Sequence, residues 1–119
     1  MTELEMQIRT KKMALRVIKM SESLPKNKTG NIICDQILRS STSTASNYRA
    51  ACRAKSKADF VYKLGIVEEE SDETEFWLEM IVDSGLLPEK KLATLRDEVN
   101  QITRIVSASK ITARNRDKR

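Results

Sequence analysis

Histidine is absent from this chain. With it go the commonest general base and the usual nitrogen ligand for zinc, copper and non-haem iron. Cysteine is scarce: Cys34 and Cys52 stand alone. On one continuous helix they would lie ~27 Å apart at ~1.5 Å per residue, too far to bond to each other. Both are read as buried structural thiols suited to a reducing cytoplasm, and neither belongs to a Cys-x-x-Cys pair. Only two prolines and three glycines are present. That scarcity argues against a turn-rich β sandwich and for a few long helices. Aromatics make up 4% of the chain, too few to support single-strand recognition by base stacking. No apolar run approaches the length of a membrane span. With Glu3 and Glu5 near its start, the N-terminus does not read as a secretory signal. A cytoplasmic location is expected, with no membrane partner.

Charge is present in quantity, and it is unevenly spread. The net charge is +5 over 119 residues, a length that fits one domain. Residues 1–58 hold 12 Lys and Arg against 4 Asp and Glu, a balance of +8. Residues 59–85 hold one Lys against 9 acids, a balance of −8, and residues 86–119 return to +5. An acidic segment between basic ones reads most simply as one negative helix packed among positive neighbours. It also leaves basic surface for an anionic partner.

Four helices are expected. The first runs from about Glu3 to Ser23, stopped by Leu24-Pro25 because proline disfavours helical geometry in the residue before it. Arg9, Lys12, Arg16 and Lys19 fall on one narrow stripe of it. Most of the remaining circumference is apolar, in two seams. Leu4, Ile8, Leu15 and Ile18 form one; Met6, Met13, Val17, Met20 and Leu24 form the other. A helix that buries one face needs only a stripe of about 100°. Two seams therefore imply either a second packing partner outside the protomer, and so a homo-oligomer, or a helix sunk deep among its neighbours. Pro25 to Gly30 reads as a loop.

The second helix is expected from about Asn31 to Arg53. Its core face reads Ile33, Cys34, Ile37, Ser41, Ala45, Tyr48 and Cys52. Arg39, Arg49 and Arg53 lie on its other side. The small Ser, Thr and Ala residues between Ser40 and Ser46 allow close approach of a neighbouring helix, or offer hydroxyls to phosphate. Ser56 followed by Asp59 has capping spacing, so the third helix starts near Lys57 and runs to Ser84. Its inward series is Phe60, Leu64, Val67, Ser71, Thr74, Leu78 and Val82, with Tyr62, Ile66, Trp77 and Met80 beside it. Gly65 sits mid-helix, where close packing would explain a residue costing roughly 1 kcal/mol relative to alanine. Gly85 is a natural stop, and Pro88 suits the first turn of the fourth helix. Leu92, Leu95, Val99, Ile102 and Val106 give that helix a 3-4-3-4 seam. After Ser109 the pattern decays. The expected division is therefore a bundle over 1–109 and a basic, disordered tail over 110–119. Short connections favour an antiparallel up-down-up-down four-helix bundle.

No catalytic constellation is legible, and no enzyme is expected. There is no glycine-rich phosphate loop and no Gly-x-Ser-x-Gly elbow. The acids Glu68, Asp72, Glu75, Glu79 and Asp83 form one stripe on a single helix. Carboxylate-bridged dimetal bundles draw glutamates from several helices and add Glu-x-x-His motifs, so a solvated or salt-bridged face is the reading here and no metal or cofactor is expected. The residues left for function are Arg9, Lys12, Arg16, Lys19, Arg39, Arg49 and Arg53, each a candidate phosphate contact that neutralises charge without reading sequence.

Leu24-Pro25, the run Gln36-Ile-Leu-Arg-Ser-Ser-Thr-Ser-Thr-Ala-Ser-Asn47 and Gly65-Ile-Val-Glu68 together carry a resemblance. The chain resembles the bacterial four-helix-bundle family first noted as proteins encoded in intervening sequences of 23S rRNA genes. The resemblance spans roughly Ile8 to Val106. Where the family pattern continues Ile-Ala-Glu-Gly after its Asn, this chain reads Tyr48-Arg-Ala-Ala51, the mark of a distinct subgroup. The resemblance implies an antiparallel four-helix bundle that assembles as a homopentamer without enzymatic activity. It further implies likeness to accessory variability proteins of diversity-generating retroelements, whose basic pentameric barrels engage nucleic acid and a reverse transcriptase. The expected function is a non-catalytic oligomeric bundle that binds RNA or DNA backbone through basic stripes. The competing expectation is a protein–protein scaffold or accessory subunit that touches no nucleic acid.

Overall fold

A computed structural model of the chain describes residues 1–116 and contains four helices: α1 (Glu3–Ser21), α2 (Lys28–Cys52), α3 (Lys57–Asp83) and α4 (Glu89–Arg116). They pack into an all-α bundle measuring 52 × 22 × 20 Å. Local chemistry sets each start. Thr2 and Glu5 form a reciprocal capping box ahead of α1, with Glu5 N–H donating to Thr2 Oγ1 at 3.1 Å and Thr2 N–H donating to Glu5 Oε2 at 3.2 Å. Ser56 Oγ accepts from the Asp59 N–H at 3.1 Å at the head of α3, the cap that the sequence spacing indicates. Gly85 takes φ +77° after α3, where only a residue without Cβ turns the chain cheaply.

Two boundaries differ from expectation. α2 begins at Lys28 rather than Asn31, because Asn27 Oδ1 accepts from the Gly30 N–H at 2.8 Å and Gly30 lies inside the first turn. Its use is close approach: a Cβ there would sit 2.0 Å from the Pro25 carbonyl oxygen. α4 continues helical to Arg116, where a disordered tail from residue 110 was expected. Lys110 Nζ reaches Glu68 Oε1 at 2.5 Å and Ala113 is buried, so these turns have partners on α3 and in the core. The rest of the expected tail, residues 117–119, lies outside the described residues.

Each helix contacts its neighbours in the order α1–α2–α3–α4–α1, and α1 and α3 stand diagonally opposite. Side-chain pairs step in opposite directions along paired helices. On α3 and α4 they run Glu68–Lys110, Ser71–Thr103, Glu75–Asn100; on α1 and α4, Arg9–Glu98 and Arg16–Thr94. The core holds Met13 and Val17 of α1, Ile37 of α2, Leu64, Val67, Leu78 and Ile81 of α3, and the full expected α4 seam. Phe60, Val82, Cys34 and Cys52 are only half-buried. The thiols are therefore less enclosed than their predicted core positions implied. Between α2, α3 and α4 runs a buried seam of hydroxyls: Thr74 Oγ1 donates to Ser40 Oγ at 2.9 Å, and Ser71 and Thr103 share a 2.6 Å hydrogen bond. Thr44 Oγ1 donates to the Ser40 carbonyl at 2.8 Å. These small polar residues bring helices together and turn their hydroxyls inward, which removes Ser40, Ser41 and Thr44 from any phosphate surface.

Candidate nucleic-acid interface

α1 buries Met6, Thr10, Met13, Ala14 and Val17, with Leu24 closing the same seam beyond its end. At about 100° per residue, Leu4, Ile8, Leu15 and Ile18 fall on the opposite side of the helix. All four are between 40% and 66% exposed. Only one of the two apolar seams is used inside the protomer. The basic stripe lies between that exposed apolar strip and α4.

The seven predicted cations separate into three groups. Arg9 and Arg39 are held inside the protomer. Arg9 clamps Glu98 of α4 through Nε at 2.7 Å and Nη2 at 2.8 Å, and Nη2 also donates to Gln101 Oε1 at 2.6 Å. This bond to Glu98 holds the Arg9 guanidinium above its usual pKa despite partial burial. Arg39 spans from α2 to α3, donating to Glu73 and, at 2.7 Å, to Glu70; these bonds, Glu73 first, raise its pKa as well. A guanidinium engaged by carboxylates on two sides is a poor first choice for phosphate.

Lys12, Arg16 and Lys19 remain exposed on the α4-facing flank of α1. Arg16 Nη2 donates to Thr94 Oγ1 at 3.1 Å, which aims its guanidinium across the α1–α4 seam. There the surface dips into an open groove of about 240 Å³ lined by Arg16, Lys19, Met20, Lys91, Thr94 and Leu95. Three cations surround an apolar floor, and no carboxylate lines it. The pattern fits a diffuse anion such as a backbone phosphate, with a fork-shaped guanidinium donor beside two point-charge ammoniums. Lys91 was missed from the sequence, 72 positions beyond Lys19. Its signal was available indirectly, since the expected up-down order would set the start of α4 beside the end of α1.

Arg49 lies elsewhere. It faces Lys11 across a second groove of about 260 Å³ between α1 and α2, floored by Ala14, Leu15, Ile18, Thr42, Ala45 and Ser46. Arg53 is the exposed C-cap residue of α2. Cations in this last turn complement the partial negative charge of the helix end, a structural use that needs no ligand. The predicted residues thus do not converge on one surface: Lys12, Arg16 and Lys19 stay together and gain Lys91, while Arg49 and Arg53 sit towards the other end of the bundle.

The acidic helix is partly spent at home. Lys110 and the Ser107 hydroxyl hold the Glu68 carboxyl below the usual range, with Lys110 the larger influence. Asn100 Nδ2 donates to Glu75 at 3.2 Å. Asp72 and Glu79 face solvent. Among the described residues no cluster of three or more Cys, Asp or Glu is placed to hold a metal ion. Near the other end, burial raises the Tyr48 phenol strongly, with the neighbouring Cys52 thiol adding to it. Burial, then the Glu3 carboxylate, raises Cys52 itself, so this thiol is a weak nucleophile at neutral pH. No described helix is long and apolar enough to cross a membrane.

Among curated proteins nothing matches the chain. Among solved structures it is similar to a protein of unknown function from the S23 ribosomal protein family of Bacteroides thetaiotaomicron VPI-5482. The identity is 27% and the TM-score 0.85, over 92% of this chain and 98% of that one. Residues 2–108 match the family described as 23S rRNA-intervening sequence protein. The four-helix bundle with its Ser-rich second helix belongs to the 23S rRNA-intervening sequence protein family.

Proposed function

We propose that the protein is a non-catalytic, oligomeric helical bundle that binds the backbone of RNA or DNA through the α1–α4 flank. The bundle is taken as antiparallel and up-down-up-down, an order supported by side-chain pairs that step oppositely along neighbouring helices. The single observation that carries the binding reading is the groove that gathers Arg16, Lys19 and Lys91 without a carboxylate in its lining. Lys12 extends the same flank. Such a site neutralises phosphates and releases counterions, and it discriminates little between sequences. Assembly multiplies it, since each copy repeats the groove around the symmetry axis. A homopentamer in the cytoplasm, with a reverse transcriptase or another protein as a further partner, is what the resemblance adds.

The test is a salt titration of binding to generic RNA and to duplex DNA. Affinity should fall as salt rises, with a slope of roughly −0.9 per phosphate neutralised on duplex. Arg16→Glu with Lys19→Glu should lower low-salt affinity at least about tenfold, corresponding to ~1.4 kcal/mol. Arg39→Ala should leave affinity unchanged, because that guanidinium serves Glu70 and Glu73. No retention of either nucleic acid at low salt overturns the reading.

A second reading is favoured by the two arginines already consumed. Arg9 and Arg39 show basic helices complementing acids within the protomer, as in a protein–protein scaffold or accessory subunit with no nucleic-acid contact. Under it, Arg16→Glu disturbs assembly and leaves nucleic-acid retention where it was.

A further inference from the structure

α1 is too short to wall its side of the bundle to the end. Arg16 meets Thr94 while Arg9 meets Glu98 and Gln101, so the pairing climbs α4 as it descends α1. Continued at the same step, the start of α1 at Glu3 comes about level with Ser107. α4 runs on to Arg116, beyond the first helical residue of α1. Beneath this overhang, against Tyr48 of α2 and Phe60 of α3, lies an open cavity of about 500 Å³. That volume falls within the ~300–1,000 Å³ typical of small-molecule sites.

The floor is apolar, with Met6 and Tyr48 buried and Phe60 and Ile105 half-buried. The α4 wall is built from small side chains, Ala108, Ser109, Thr112 and Ala113, where larger ones would have closed the space. The floor also carries an underused donor. Tyr48 is 5% exposed, and its hydrogen-bonding neighbour among the described residues is the Cys52 thiol, a weak partner. The two lips carry opposite charges, Glu3 on α1 and Arg116 on α4, both exposed. Neither forms an ion pair among the described residues. The Glu3 carboxylate is close enough to the floor to push up, after burial, the Cys52 thiol.

We propose that this cavity binds a free α-amino acid with an apolar side chain. The side chain enters over Met6, Phe60 and Ile105. The ammonium turns to Glu3, and the carboxylate turns to Arg116 beside the Thr112 hydroxyl. A simple carboxylic acid would satisfy Arg116 and be repelled by Glu3; a simple amine would do the reverse. An internal residue of a polypeptide carries neither charge. A compact zwitterion with a greasy body answers the floor and both lips at once. The cavity lies at the opposite end of the bundle from the Arg16, Lys19 and Lys91 groove, so the proposal stands apart from the nucleic-acid reading.

Calorimetric titration of the full chain with L-phenylalanine, L-leucine and glycine tests it. At least one of the first two should bind saturably, and glycine, which has both charges and no apolar body, should not. The deaminated acid and the decarboxylated amine of the better ligand should each bind at least about tenfold more weakly. Glu3→Gln should bring the amino acid level with its deaminated form, and Arg116→Gln should bring it level with its amine. Thr112→Trp, which fills the cavity from an exposed position, should abolish binding. Ala108→Trp replaces it if far-UV circular dichroism shows lost helix. The proposal is overturned if neither apolar amino acid binds at millimolar concentration, if the deaminated acid binds as tightly as its parent, or if filling the cavity leaves binding unchanged.

Discussion

Gly30 and Gly65 are both helical and carry opposite consequences. At Gly30 a side chain would collide with the Pro25 carbonyl, part of the backbone that returns from α1. Gly30→Ala should shift the urea midpoint down by the equivalent of about 1–3 kcal/mol, the range for forcing extra atoms into a packed site. Gly65→Ala should shift it up by as much as about 1 kcal/mol, since propensity is gained and nothing is displaced. Denaturation curves on both variants check the pair. Arg9 and Glu98 offer a third residue-level measurement. Their side chains are about four-fifths covered and the contact is bidentate, so a double-mutant cycle with Arg9→Ala and Glu98→Ala should give a coupling near 1 kcal/mol, above the median for exposed pairs. The sequence assigned Gly65 to close packing and Gly30 to a loop. The roles were reversed because each depends on a neighbour that no local pattern names: a carbonyl five positions back, and open space.

At the scale of elements, α4 held the clearest pattern and the largest surprise. Its seam from Leu92 to Val106 was legible because 3-4 spacing reports burial directly. Its last turns were not, because Lys110 is held there by Glu68, 42 positions earlier in the chain. That pair also gives α3 and α4 a pH signature. Lys110 lowers the folded-state pKa of Glu68, so the stabilisation is complete above the unfolded value of about 4.3 and fades as pH falls through the lower folded value. Glu68→Gln should therefore lower the Tm at pH 7 and have a diminishing effect as the pH is taken below about 4. Thermal melts of both proteins across that range check it; an equal gap at pH 3 and pH 7 contradicts it. The candidate site follows the same logic. The α1 stripe was visible as a stripe, since four cations at helical spacing need only arithmetic. Which of them are engaged by acids was hidden, because Glu98, Glu70 and Glu73 lie on other helices.

For the whole molecule, the segmental charge balance becomes a spatial one. The positive flank lies along α1 and the start of α4, and the exposed carboxylates lie along the outer side of α3. An approaching polyanion is drawn to one side and repelled from the other, which orients the encounter before contact. Raising salt should weaken nucleic-acid capture and subunit contact together, as both rely partly on unscreened charge. In the proposed oligomer, burial of the exposed α1 strip Leu4, Ile8, Leu15 and Ile18 would be insensitive to that screening. Mass should therefore persist to higher salt than RNA retention does, and one titration read by light scattering and by anisotropy checks the order of loss.

The buried hydroxyls between α2, α3 and α4 bear on alternatives to the native arrangement. Oily helices of similar girth can slide past one another by a turn, about 5.4 Å, and still cover their greasy sides. Here such a slip would part Thr74 from Ser40 and Ser71 from Thr103, losing two interhelical hydrogen bonds worth about 0.5–1.5 kcal/mol each, although Thr74 and Thr103 keep their bonds to the Glu70 and Val99 carbonyls of their own helices. The seam acts as an indexing mark, and it fixes the height at which α3 stands against α2 and α4.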